Sequence, residues 1–160
     1  MAGPTESQTF KAFLGRGLIL KGSFEQAREI YSEIEAAVDR VPGDVPKAHI
    51  LRMRIGLARI LHATDRWAEA HTMWKLALKS LSECGWGEGF NHVVIYYSLP
   101  HVMFELDPQE CTGHLLKADE VFRETGRQFW NAGLGTVWLD YLASIIKRRM
   151  GYVIAVYDTK

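Results

Sequence analysis

A phrase that recurs three times constrains this chain more than any other feature. It runs aromatic or leucine, two residues, alanine, three residues, aromatic. It occurs as Phe24, Ala27 and Tyr31, then as Trp67, Ala70 and Trp74, then as Leu115, Ala118 and Phe122. The first two copies stand 43 residues apart, the second and third 48. Self-similarity at this period is the signature of stacked helical hairpins, each burying a face that it cannot cover alone.

The bulk properties agree with a folded, neutral chain. A length of 160 residues predicts one domain, and 48% apolar residues are enough to bury a core. The 19 basic and 19 acidic residues cancel, which argues against a dedicated nucleic-acid binder. Cys84 and Cys111 form no CxxC pair and are too few for a disulfide framework. Reduced thiols are expected, as in a cytoplasmic or nuclear protein. The opening MAGPTESQT has no apolar stretch of a secretory leader, and no run of about 18 apolar residues predicts a membrane span.

Helical spacing dominates along the chain. Phe10, Leu14 and Leu18 share one face, and Ala27, Ile30, Tyr31 and Ile34 share another. Ser23, three residues before Gln26, predicts an N-cap with a capping box. Val41-Pro42-Gly43-Asp44-Val45-Pro46 reads as a loop, Asp65-Arg66 as a tight turn, Cys84-Gly85-Trp86-Gly87-Glu88-Gly89 as a glycine-rich break, and Asp107-Pro108 as a third turn. The pattern predicts about seven helices, over 5–21, 23–40, 45–64, 66–83, 88–105, 108–125 and 127–149. Pro100 should kink the fifth or end it near Leu99. The apolar tail Tyr152–Tyr157 reads as a strand, a last helical turn or a truncated repeat.

The repeated phrase resembles the tetratricopeptide repeat (TPR), whose hairpins carry Leu, then Gly or Ala, on the first helix and Ala, then an aromatic, on the second. Leu14-Gly15, Leu18, Gly22, Phe24, Ala27, Tyr31 and Ile34 match in the first unit. Leu57-Ala58, Leu61, Asp65, Trp67, Ala70, Trp74 and Ala77 match in the second, so the resemblance covers residues 10–80. The third unit departs: no Leu-Gly pair precedes Leu115, and five extra residues with Pro100 imply an irregular first helix or a longer turn. Leu134-Gly135 and Trp138 resemble half of a fourth unit or a cap. The period is closer to kinesin-light-chain-like or MalT-like TPR tails, which implies a piece detached from a larger signalling protein.

No catalytic motif is present: no GxxxxGK[ST], HExxH or GxSxG. Gly85–Gly89 has no preceding strand and no following lysine, so it reads as a turn rather than a phosphate loop. The six histidines form no i, i+4 pair, and no metal, cofactor or enzymatic activity is expected.

Charge placement is sharper. Between Val45 and Thr64 stand Lys47, Arg52, Arg54 and Arg59 with no acid, while residues 23–40 carry Glu25, Glu29, Glu33, Glu35 and Asp39. The TPR resemblance implies that the first helix of each hairpin lines a concave groove. Arg16 follows Gly15 as Arg59 follows Ala58, so these two occupy equivalent groove positions, with Arg52 and His62 on the same side. Such a groove would clamp a carboxylate or an acidic peptide. The plainer reading pairs these arginines with the acidic neighbouring helix, for about 0–1 kcal/mol each, or leaves them simply solvated. The Lys and Asn pattern of the chaperone-tail clamp is missing, and Lys147-Arg148-Arg149 reads as a helix end.

The reading is therefore an all-α, TPR-like helical-hairpin solenoid forming a single domain over 1–160. Its units are expected over 5–40, 45–83 and 88–125, with a cap or partial unit over 127–149 and a tail over 150–160. The expected role is an adaptor or sensor tail that binds a protein or acidic peptide through Arg16, Arg52, Arg59 and His62. The alternative is a small-molecule-responsive regulatory domain with a pocket at Trp86, Tyr96, Tyr97 and His101. The apolar helix expected over 127–149 predicts self-association, a further repeat, or cover from the folded-back tail.

Overall fold

A computed structural model describes residues 4–41, 43–85, 90–108, 111, 113, 116–117, 120 and 148. Apart from the turns and the loop, the described residues are helical, with no strand among them. Five helices stand among them: α1 (Pro4–Leu20), α2 (Phe24–Arg40), α3 (Lys47–Ala63), α4 (Trp67–Glu83) and α5 (Phe90–Leu106). About seven were expected. The helices expected over 108–125 and 127–149 lie outside the described residues apart from a few helical positions such as Cys111 and Arg148, and so does the tail from Tyr152. Contacts divide the chain into two compact units, Met1–Gly85 and Trp86–Lys160, with the boundary at the glycine-rich break.

The repeat is more regular in the backbone than in the residue phrase. All five helices have 17 residues. Shifting the bounds of α1 by 43 residues gives α3 and then α5, and the same shift turns α2 into α4. The turns repeat as well. At the end of α1, Gly22 N–H donates to the Ile19 carbonyl (3.0 Å) and Ser23 N–H to Leu18 (2.9 Å). At the end of α3, Asp65 N–H donates to His62 (3.3 Å) and Arg66 N–H to Leu61 (2.9 Å). Both are the paired closing bonds of a helix that stops on a left-handed residue. That residue is Gly22 at φ 79° in one copy and Asp65 at φ 58° in the other. A side chain in this conformation is strained, so Asp65→Gly should stabilise the second hairpin by about 0.5–1 kcal/mol in urea unfolding.

Ser23 does not cap α2 through its side chain. Its backbone (φ −85°, ψ 64°) nearly matches that of Arg66 at the start of α4 (φ −87°, ψ 67°), which has no capping side chain either. The three-residue turn sets both conformations, and its backbone bonds leave no need for the box.

In the first unit, α2 turns Ala27, Tyr31 and Ile34 inward and leaves Glu25, Glu29, Glu33, Glu35 and Asp39 exposed. Tyr31 and Ile34 meet Ala12 of α1, Val45 of the loop, and Met53, Leu57 and Ile60 of α3 in one core. Full burial of each large side chain contributes about 1.5–3 kcal/mol. Ala70, Trp74 and Ala77 of α4 are fully buried, as their places in the repeat require.

In the second unit, α5 does not stop near Leu99; it continues through Pro100 to Leu106. Leu99, Pro100 and Val102 are all buried. Burial on both sides of the proline offsets the roughly 3 kcal/mol that a helical proline costs. Of the two expectations for the third unit, an irregular first helix or a longer turn, the first does not hold for α5, which keeps the length and the 43-residue offset of α3. After Leu106 the phase changes, because Gly113 is exposed although it stands 43 residues after the fully buried Ala70. Cys111 is buried, and its thiol donates to the Pro100 carbonyl (3.2 Å).

Candidate functional site

The close approach of three helices builds this site. A Cβ on Gly15 of α1 would lie 2.7 Å from Cζ of Tyr31, and one on Gly56 of α3 would lie 2.3 Å from the same atom. The tip of the Tyr31 ring therefore sits between two glycines, one on each first helix, and is 1% exposed. Arg16 follows Gly15 in sequence, and Arg59 stands one helical turn after Gly56, so both guanidinium groups belong to the surroundings of the Tyr31 hydroxyl.

The electrostatics agree. Burial pushes the Tyr31 hydroxyl up to about 12, while the charge of Arg59, and then that of Arg16, pulls the other way. Arg59 is half-buried and held below the ordinary arginine value, first by burial and then by Arg16, with Tyr31 opposing. Arg16 is exposed. The fold thus brings Arg16 and Arg59 together around a phenol that sequence reasoning had placed only in the core.

Further along, Arg52 joins the same side of α1 and α3. Its Nη1 donates to Nδ1 of His49 (3.2 Å), and its guanidinium carbon stands 5.5 Å from the centre of the Phe13 ring. A guanidinium only donates, so Nδ1 accepts and the proton of a neutral ring lies on Nε2, which donates to Thr9 Oγ1 (2.7 Å). Burial, and next the Arg52 charge, hold the His49 pKa below its ordinary value, in keeping with a neutral ring. Thr9 faces His49, Phe13 faces Arg52 and Arg16 reaches Arg59, so α1 and α3 run parallel.

Other basic side chains have structural places. Arg54 donates to the Leu76 carbonyl (3.3 Å) and to Ser80 Oγ, tying α3 to α4. Lys11 pairs with Glu33 across α1 and α2 (2.7 Å). His62 is 3% exposed, and its ring packs edge-on against Trp67 (5.5 Å) at the closed end of the second hairpin. It is not presented at the surface with Arg16.

Of the alternative pocket, Trp86 and the side chain of Tyr97 lie outside the described residues. Tyr96 is half-buried with its ring edge-on to His92 (4.5 Å), and His101 is buried. Among the described residues no group of three or more His, Cys, Asp or Glu is placed to hold a metal ion. No helix among them is long and apolar enough to cross a membrane. No family model, curated protein or solved structure matches this chain.

Tyr31 gives the site a measurable signature. Its folded value lies above the ordinary 10.0, so the fold favours the protonated phenol. The resulting stability is fully present below pH 10 and is lost as the pH rises through about 12. Thermal unfolding followed across that window should show a fall that Tyr31→Phe flattens. An identical alkaline profile in the variant would separate Tyr31 from the effect.

Proposed function

We propose that this chain is a TPR-like helical-hairpin module that binds an acidic segment of another protein along the groove formed by α1 and α3. The observation that carries this reading is the convergence of Arg16 and Arg59, at equivalent places in two repeats, on the hydroxyl end of Tyr31. The lack of any acid on α3 supports it, because a ligand carboxylate entering there meets no like charge. Arg52, braced by His49 and Phe13, extends the same row. The role is adaptor-like binding rather than catalysis, and guanidinium groups on two neighbouring helices suit recognition of carboxylates.

A fluorescent glutamate-rich peptide tests the reading by anisotropy. Binding should weaken with added salt, since exposed charges are screened beyond about 8 Å at physiological ionic strength. Arg16→Glu, at an exposed position, should weaken binding about tenfold without changing the melting temperature. Arg59→Gln should weaken it too. Affinity indifferent to salt and to both variants would remove the groove as the binding surface.

A further inference from the structure

The first helix carries an apolar stripe that the fold leaves open. Phe10 is 68% exposed, Phe13 57%, Leu14 39% and Leu20 72%. With Gly17, these residues follow the alternating three- and four-residue spacing of a helix that packs along another helix. A Cβ on Gly17 would meet nothing within 4 Å, so the stripe has an open gap at that position, between Phe13 and Leu20 along the helix.

The repeat identifies what kind of element fits this face. Shifted by 43 residues, Phe10, Phe13, Leu14 and Gly17 fall on Met53, Gly56, Leu57 and Ile60 of α3. There the same face is closed: Met53 is 4% exposed, Leu57 9% and Ile60 4%. The α1–α2 hairpin closes it, with Tyr31 entering the hole at Gly56. On α1 the glycine stands one turn later, so the hole for a large side chain has moved to Gly17. Charge selects further. Arg16 and Lys21 flank the open stripe, both exposed, and Arg52 stands over Phe13. A second copy of α1 would bring like charges together, whereas acidic flanks would be complementary.

We propose that the Phe10–Phe13–Leu14–Gly17–Leu20 face of α1 docks an amphipathic helix of a partner protein that seats a large apolar side chain at Gly17 and carries acidic residues beside its apolar stripe. The interaction is helix against helix, along the exposed stripe of α1 beside Arg16 and Arg52. The groove reading can fail without it: a groove ligand responds to Arg59→Gln and ignores Gly17, and a helix docked here does the reverse.

The test uses the full chain and a labelled three-heptad peptide with Leu and one Trp on its apolar stripe and Glu on its flanks, beside the same peptide with Lys flanks. The Glu peptide should bind about tenfold more tightly than the Lys peptide. Gly17→Leu fills the hole while improving helix propensity, so it should fold as well as the parent and lose about tenfold in affinity. Phe10→Ser should also weaken binding. Equal affinity for the two peptides, or unchanged binding by Gly17→Leu, overturns the proposal. Light scattering that finds a dimer abolished by Gly17→Leu assigns the face to a second copy and overturns it as well. Sedimentation of the chain with phosphatidylserine-containing vesicles, lost in Phe10→Ser, does the same in favour of a membrane surface.

Discussion

Trp74→Ala should lower the unfolding free energy by about 3–5 kcal/mol, the cost of removing a fully buried indole and leaving the cavity. Trp74 is 0% exposed and stands 43 residues after Tyr31, the aromatic that fills the first repeat. The indole N–H is buried with no hydrogen-bond partner among the described residues. Trp74→Phe should therefore be far milder, within about 1 kcal/mol of the parent, because losing ring area is offset by removing an unsatisfied donor. Urea unfolding of the two variants checks both values. A parent-like midpoint for Trp74→Ala would place Trp74 outside the core and break the 43-residue register.

Why was so much of the fold legible? The bounds of the five described helices were readable to within two residues because each hairpin puts its large and small residues on one face at spacings of three and four. Ala27, Tyr31 and Ile34, and their counterparts Ala70, Trp74 and Ala77, bury in that order because a helix with one apolar stripe has one way to pack. Ser23 has the residue type of a cap, and Pro100 allowed either a kink or an end near Leu99 in the helix expected over 88–105; the side-chain cap and the early end are the outcomes that local chemistry did not impose. At Ser23 the turn's own backbone bonds set the geometry. At Pro100 burial of the neighbouring residues holds the helix together.

The site was legible in outline only. Register against the repeated motif aligned Arg16 with Arg59, because a repeat makes equivalent positions face the same way. It also placed His62 on that side, and the structure packs His62 against Trp67, since a residue at the last turn of a helix meets the returning chain. Tyr31 was readable as core but not as the phenol between two arginines. Seeing that requires knowing which glycines approach it, and glycine carries no periodic signal. The open face of α1 was hidden for a related reason: Phe10 and Leu14 have the spacing of buried residues, and only the packed neighbour decides whether they are buried.

The glycine at position 56 should therefore be the most sensitive small-residue position in the first unit. Glycine inside a helix normally costs about 1 kcal/mol relative to alanine, so glycine-to-alanine changes there usually stabilise. Gly17 fits that rule: a Cβ there meets open space, and Gly17→Ala should gain about 0.5–1 kcal/mol. At Gly56 the added carbon would lie 2.3 Å from Tyr31 Cζ and 2.5 Å from its hydroxyl. The ring cannot retreat, because Gly15 closes on its other side, where a Cβ would already stand 2.7 Å from Cζ. Helix separation or ring displacement must follow, so Gly56→Ala should destabilise by about 1–3 kcal/mol despite the better helix former. Shortening the intruding side chain should relieve the clash. In a Tyr31→Leu background, Gly56→Ala should cost much less, giving a coupling of at least about 1 kcal/mol in a double-mutant cycle. Urea midpoints of the three variants measure it. If Gly56→Ala stabilised the chain as Gly17→Ala should, Tyr31 would not stand between α1 and α3, and the arginine pair built around it would lose its frame.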